Sequence, residues 1–399
     1  MTEPAPYLPQ DTFAAADRGS RPVPRVFISP GRYVQGRGVL ASLGHYLTLV
    51  RARRAALLMS SRGHREAGAT IAASLRDARV EVLPRTFGGE CSLEEIGAHV
   101  AALSSERVDC VIAAGGGKCI DAGKAIAYRL GAAVVIVPTL ASNDAPCSAL
   151  SVLYSAAGSA LGAEYYPDSP ALVVVDTDVV AAAPERYLVA GMGDAMATWY
   201  EARACLVNPA ATTTVGARPT LASAAIGEVC ARTLFEHGRA AAAAVAAHTV
   251  DDALETVVEA NTLLSGIGFE SGGLAAAHAV AQSFTGIPAV HATFLHGEMV
   301  AMGTLAHLVL EERPDEARRV AEFFATVGLP VHLGQLGIDP GDTATLDIVA
   351  DGALRFPFVH NMLRPMTSAL VRAALRDAHD LGAAVAAEVG DASYRRLQG

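Results

Sequence analysis

Six short apolar runs, separated by helix-like stretches, pattern the chain from residue 25 to residue 176. They are RVFIS (25–29), AALLM (55–59), VEVLP (80–84), DCVIAA (109–114), AVVIVP (133–138) and ALVVVD (171–176). Several are continuously apolar, as in parallel strands covered on both faces. Between them, HREAGATIAASLRDAR and SLEEIGAHVAALSSE read as helices. The second opens with Ser92 and Glu95 in capping-box spacing. This alternation predicts a doubly wound α/β domain of the nucleotide-binding type.

After VVVDTDVVAAAPERYL the texture changes. Pro184 stands where a first helical turn accepts it. Long Ala-rich helical runs follow, among them ASAAIGEVCARTLFEH, DDALETVVEANTLLSGIGF and ALVRAALRDAHDLGAAVAAEV. The AAAAAVAA run at 240–247 is low in complexity, yet Ala is the best helix former. The predicted organisation is a flexible Pro-rich extension (1–24), an α/β dinucleotide-binding domain (25–182) and an all-α domain (183–399).

Composition narrows the partners. The 399 residues are 51% hydrophobic and 18% charged, with 31 basic against 41 acidic residues and a net charge of −10. That argues against nucleic acid and membrane surfaces and for a small-molecule partner. No apolar run reaches membrane-spanning length. Cys91, Cys110, Cys119, Cys147, Cys205 and Cys230 form no CxxC pair, which fits reduced thiols in a cytoplasmic protein.

Three stretches carry candidate chemistry. In VDCVIAAGGGKCIDAGKAIAYRL, Gly115, Gly116 and Gly117 follow a strand and open a helix, with Lys118 beside them. Such a turn lets backbone N–H groups approach a pyrophosphate, although it also serves as a plain tight turn. VPTLASNDAPCSALSVLY (137–154) follows the next strand, where the ligand crevice of an open α/β sheet lies. In the helical part, Asp194 stands inside the apolar run YLVAGMGDAMATWYEARACLV. A buried carboxylate needs a proton, a partner or a cation. His278 and His296, each among small residues, are candidates to join it in a three-ligand divalent site with an open fourth position.

Together these segments resemble the glycerol dehydrogenases of the metal-dependent, iron-type alcohol dehydrogenase superfamily. FGGECS, GGGKCIDAGKAIAY, ASNDAPCSALSVLY, LVAGMGDAMATWYEA, VVEANTLLSGIGFESGGLAAAHA and HGEMVAMGTLAHLVLE carry the resemblance. It runs from SPGRYVQG (29–36) nearly to the C-terminus. It implies the dehydroquinate synthase-like fold: an α/β cofactor domain, an all-α metal domain and an active site between them. Position by position, Gly115, Gly116, Gly117 and Lys118 match the pyrophosphate turn. Thr139, Ser142, Ser148, Leu150 and Tyr154 match residues around the nicotinamide, and Asp144 matches the carboxylate that touches the polyol. Asp194, His278 and His296 match the metal ligands. Thr198 stands where iron-type members carry a fourth ligand, which favours Zn2+ over Fe2+. The implied partners are a polyol or hydroxyketone and a homo-oligomer.

The chain departs from that family in places. The end of AALLM reads Ser60, Ser61, Arg62, without the acid that binds the adenosine ribose in NAD enzymes. An arginine at such a position accommodates a 2′-phosphate, so NADP joins NAD as candidate cofactor. Ala281 replaces a second histidine near His278, Leu295 and Met299 flank His296 differently, and the neighbours of His360, Asn361 and Met362 differ. These changes leave the substrate open to specialised polyols or ketones. A dehydroquinate-synthase-like cyclase or lyase is the competing enzyme class. It calls for more basic groups than Lys118 and Lys124 offer.

Overall fold

The computed structural model describes residues 6–13, 23–155, 158 and 160–399. Six parallel strands form one sheet: β1 (Tyr33–Gly36), β2 (Arg54–Met59), β3 (Glu81–Thr86), β4 (Cys110–Gly115), β5 (Ala133–Pro138) and, after the hairpin described next, β8 (Leu172–Asp176). Their order is β1-β8-β5-β4-β2-β3. The hairpin strands β6 (Leu150–Tyr154) and β7 (Ala160–Tyr165) pair antiparallel as a separate small sheet.

Burial explains the apolar runs. Leu43, Leu47, Ile71 and Leu75 cover one face of the sheet, and Ile96, Leu103, Ala122 and Ile126 cover the other. Chain order reverses between β2 and β4, so the crevice at the C-terminal strand ends opens between Met59 and Gly115.

RVFIS does not form a strand. Pro24 and Pro30 bracket it, and its backbone is taken by the helical region: Ile28 N–H donates to Ser271 Oγ at 2.8 Å. Arg25 makes an isolated bridge to Arg218, and the sheet edge is β1 instead. Within the expected extension 1–24, a short helix spans Pro9–Phe13 and Tyr7 bridges Tyr165. Residues 1–5 and 14–22 of that extension lie outside the described residues.

From Glu185 onward the described elements are helical. The Glu185–Val207 helix begins after Pro184 and is buried along most of its length. It packs against the Leu221–Ala246, Ser265–Gly272 and His296–Leu310 helices. A π-turn at Ala260–Leu264 interrupts the helical run after Asp252–Glu259. There Asn261 Nδ2 donates to Ala141 O (2.9 Å) on the β5 side and to Leu188 O (3.0 Å) on the helical side. Among the described residues no helix is long and apolar enough to cross a membrane.

Candidate metal centre and cofactor cleft

Three helices deliver one side chain each to a common point. Asp194 lies midway along Glu185–Val207, His278 in the first turn of Ala276–Phe284, and His296 at the start of His296–Leu310. Their ligand atoms lie within 4.8 Å of one another. Asp194 Oδ1 stands 3.4 Å from Nε2 of His278 and 3.4 Å from Nε2 of His296. Asp194 is fully buried, whereas His296 is 43% exposed and leaves the cluster open on its side.

The spacing fits a cation. Charge-assisted N–H···O bonds run about 2.7–2.9 Å, shorter than either contact. Ligands about 2.0–2.1 Å from a tetrahedral Zn2+ stand about 3.3 Å apart. Asp194 Oδ1 is buried without a hydrogen-bond partner, and Oδ2 accepts from Asp144 N–H at 3.2 Å. Burial alone would raise the Asp194 carboxyl, but the imidazoles of His296 and His278 outweigh it and hold it below the ordinary range. Burial pushes the Asp144 carboxyl well above that range, reinforced by the Asp194 charge. Burial would lower His278, and the Glu201 and Asp194 carboxylates instead push it well above its usual value. The Asp194 and Glu201 carboxylates thus favour positive charge at the point where the two imidazoles meet.

Local structure holds the ligands in place. Glu298 accepts from Leu295 N–H at 2.7 Å, closing the first turn beside His296. Arg186, in the first turn of Asp194's helix, grips the same carboxylate through two bonds of 2.7 Å.

The cofactor candidates stand on the segments that follow β2, β4 and β5. Gly115 ends β4 and Gly117 begins the Gly117–Leu130 helix. Thr139 N–H donates to Gly115 O at 3.1 Å. A Cβ on Gly117 would lie 2.6 Å from Asn143 Nδ2, so the loop after β5 closes onto the glycine turn. Lys118 Nζ donates to Glu90 at 2.7 Å and sits 4.9 Å from the Tyr154 ring centroid. Ser142 Oγ stands 3.5 Å from Asn143 Nδ2. Ser148 and Leu150 are buried, and Ser148 is bonded to Lys124. Ser61 and Arg62 begin the helix after β2, where exposed Arg62 pairs with Glu66 at 2.6 Å. Thus the structure gathers Asp144 with the three candidate ligands, and Thr139, Asn143 and Tyr154 with the glycine turn. It leaves Ser61 and Arg62 at the adjacent strand end.

Sequence reasoning missed the part played by three buried charges, Lys124, Glu270 and Glu201. Lys124 Nζ reaches Asp121 Oδ1 (3.2 Å), Ala145 O (2.6 Å), Ser148 Oγ (3.1 Å) and Leu150 O (2.8 Å), and so pins the loop that bears Asp144. Glu270 accepts from Ala149 N–H at 2.8 Å on the other side of that loop. Glu201 contacts His278. Asp121 and Lys124, three apart in an otherwise apolar helix, were the available signal for the first.

The model of the family described as iron-containing alcohol dehydrogenase matches residues 30–177. The chain is 45% identical over 360 residues to a glycerol dehydrogenase of Escherichia coli O6:H1, covering 90% of this chain and 97% of that protein. It is 42% identical over 366 residues to a glycolaldehyde reductase of Halobacterium salinarum, covering 90% and 98% respectively. It superposes on the crystal structure of glycerol dehydrogenase from Schizosaccharomyces pombe with a TM-score of 0.87 at 34% identity, covering 92% of this chain and 93% of that one.

Proposed function

Because the chain belongs to the glycerol dehydrogenase family, within the iron-containing alcohol dehydrogenase superfamily, we propose that it interconverts a vicinal polyol such as glycerol and the matching hydroxyketone, exchanging hydride with a nicotinamide cofactor. The observation that carries this reading is the Asp194–His278–His296 cluster, open on the His296 side and adjoining Asp144.

Asp194, His278 and His296 would hold a divalent cation, Zn2+ before Fe2+, which supplies Lewis acidity toward a substrate hydroxyl. Two neutral imidazoles and one carboxylate leave that site with net positive charge, suited to a developing alkoxide. Asp144, beside the cluster, accepts a hydrogen bond from a neighbouring hydroxyl and orients the carbinol carbon. The glycine turn and Lys118 take the pyrophosphate, and Thr139, Ser142, Ser148, Leu150 and Tyr154 form the loop that seats the nicotinamide half. The cofactor supplies the hydride chemistry.

We extend the reading to NADP. Ser61 and Arg62 stand where a ribose-binding acid is expected, and the exposed Arg62–Glu66 pair is of a kind worth about 0–1 kcal/mol, so the guanidinium can turn to a 2′-phosphate. Residues 25–182 are read as the cofactor unit and 183–399 as the metal unit of a cytoplasmic homo-oligomer. The cyclase alternative loses ground, since Lys124 is buried among four oxygens and Lys118 is paired with Glu90.

The test is a panel of polyols, hydroxyketones and short hydroxyaldehydes with NAD(H) and NADP(H), before and after chelation with metal content measured. Polyol-dependent reduction of cofactor that is lost with the metal supports the reading. Full activity of verified metal-free protein overturns it. NAD preferred a hundredfold sinks the NADP extension alone.

A further inference from the structure

Asp194 and Glu201 sit seven residues apart on one helix, two turns and about 10 Å along a single face. His278 lies between them. Its Nε2 faces Asp194 Oδ1 at 3.4 Å, and its Nδ1 faces Glu201 Oε2 at 2.6 Å. Glu201 Oε1 also accepts from the backbone N–H groups of Ala275 (2.8 Å) and His278 (2.9 Å). Glu201 is fully buried, with both oxygens engaged.

These contacts leave the imidazole little choice. An ionised carboxylate accepts hydrogen bonds and cannot donate them. Glu201 therefore requires the hydrogen of neutral His278 on Nδ1, which turns the Nε2 lone pair toward Asp194 and His296. The same carboxylate holds the main chain of His278, so backbone and ring are fixed together. It also occupies the N-terminus of the Ala276–Phe284 helix, where Ala275 has no side-chain acceptor of its own.

We propose that Glu201 is a positioning residue for the metal centre: it sets the His278 tautomer and ring orientation and thereby the affinity of the site for its cation. The proposal rests on the metal reading above. It is distinct from a mere helix cap, because a cap needs only an acceptor for the two backbone N–H groups, whereas tautomer control needs an acceptor at Nδ1 as well.

Glu201→Gln separates the two roles. The amide oxygen can take over the backbone N–H groups, while the NH2 group faces Nδ1 and draws the ring hydrogen onto Nε2, blocking the ligand position. The experiment is a competition titration of Zn2+ against a chromogenic chelator on the full-length wild type, Glu201→Gln, Glu201→Ala and Asp194→Asn, with thermal unfolding of each metal-free protein alongside. The expected result is a Zn2+ affinity about 10–100-fold weaker in Glu201→Gln, with metal-free unfolding close to wild type. Glu201→Ala, which loses the cap too, shows both weakened binding and earlier unfolding. Wild-type Zn2+ affinity in Glu201→Gln overturns the proposal. So does a loss of affinity no greater than its loss of metal-free stability explains. A wild type that binds no Zn2+, and is unaffected by Asp194→Asn, instead overturns the metal reading beneath it.

Discussion

Gly297 approaches Ala190 so closely that a Cβ at Gly297 would lie 1.8 Å from the Ala190 carbonyl oxygen. The contact is reciprocated one turn along, where a Cβ at Gly193 would lie 2.3 Å from the Gly297 carbonyl oxygen. Both obstacles are backbone, so neither can rotate aside. The absence of two side chains is what lets the helix bearing His296 reach the helix bearing Asp194.

Gly297→Ala is expected to push the start of the His296–Leu310 helix outward and separate His296 from Asp194. Overpacking of this kind costs about 1–3 kcal/mol, and displacement of a reacting group by about 1 Å costs about a hundredfold in rate. The check is kcat/KM together with Zn2+ affinity and the unfolding midpoint. Wild-type metal affinity in this variant contradicts the account.

Asp194→Asn removes the ligand charge at nearly constant shape. Turnover is expected to vanish and metal binding to weaken, with the fold retained, because Oδ1 makes no hydrogen bond and the amide oxygen that remains can still accept from Asp144 N–H. Circular dichroism, metal analysis and steady-state assays on one preparation decide it. A fully active, metal-loaded Asn variant refutes the role.

Lys124→Met keeps the aliphatic stem and removes the ammonium from four oxygens. Asp121 is then left with Val152 N–H at 3.0 Å. Breaking one side of a buried pair costs about 3–5 kcal/mol. The Asp144 loop should loosen, with kcat/KM for polyol down more than tenfold. In a double-mutant cycle by urea unfolding, adding Asp121→Asn should recover part of the loss. Additive effects contradict the coupling.

Glu270 is buried, with Oε1 bonded to Ala149 and Oε2 without a partner. Burial pushes its carboxyl up from 4.5 to about 7. Between those values the folded chain binds a proton that the unfolded chain releases, so stability falls as pH rises through the window. A gap of about 2.5 units corresponds to about 3 kcal/mol. Glu270→Gln keeps an acceptor for Ala149 and abolishes the titration. Denaturant midpoints should nearly coincide below pH 4.5 and favour the variant by pH 8. Parallel pH profiles contradict this assignment.

The parallel strands were legible because a strand buried on both faces leaves an unbroken apolar run, as in CVIAAG and LVVVD. The glycine turn and the Asp194, His278 and His296 set were legible as residue types, and the family resemblance joined them. The β6–β7 hairpin was not. Its strands carry Ser151 and Glu164, and its alternation is too short to stand apart from a polar loop. Nor were the buried charges. A Glu or Lys on a helix reads as a solvated face until the fold shows what covers it. Glu201 stands two residues before Arg203, which does form ion pairs, with Glu311 and Glu316. Even the foreseen capping box is half formed. Ser92 accepts from Glu95 N–H at 3.2 Å, but the Glu95 carboxylate turns to Gly88 N–H (2.7 Å) and His99 (3.0 Å).

Asn261 binds the carbonyls of Ala141 and Leu188 through one amide nitrogen. Ala141 precedes the loop of Asp144, and Leu188 lies on the helix of Asp194. One rigid group therefore acts as a gauge block between the part of the molecule that would seat the nicotinamide and the part that would seat the substrate. It shares that task with Gly191, where a Cβ would lie 2.0 Å from the Ala141 carbonyl oxygen, so the loop and the helix meet through an amide and a bare backbone. A side chain at position 191 would therefore part the two segments that the Asn261 amide ties together.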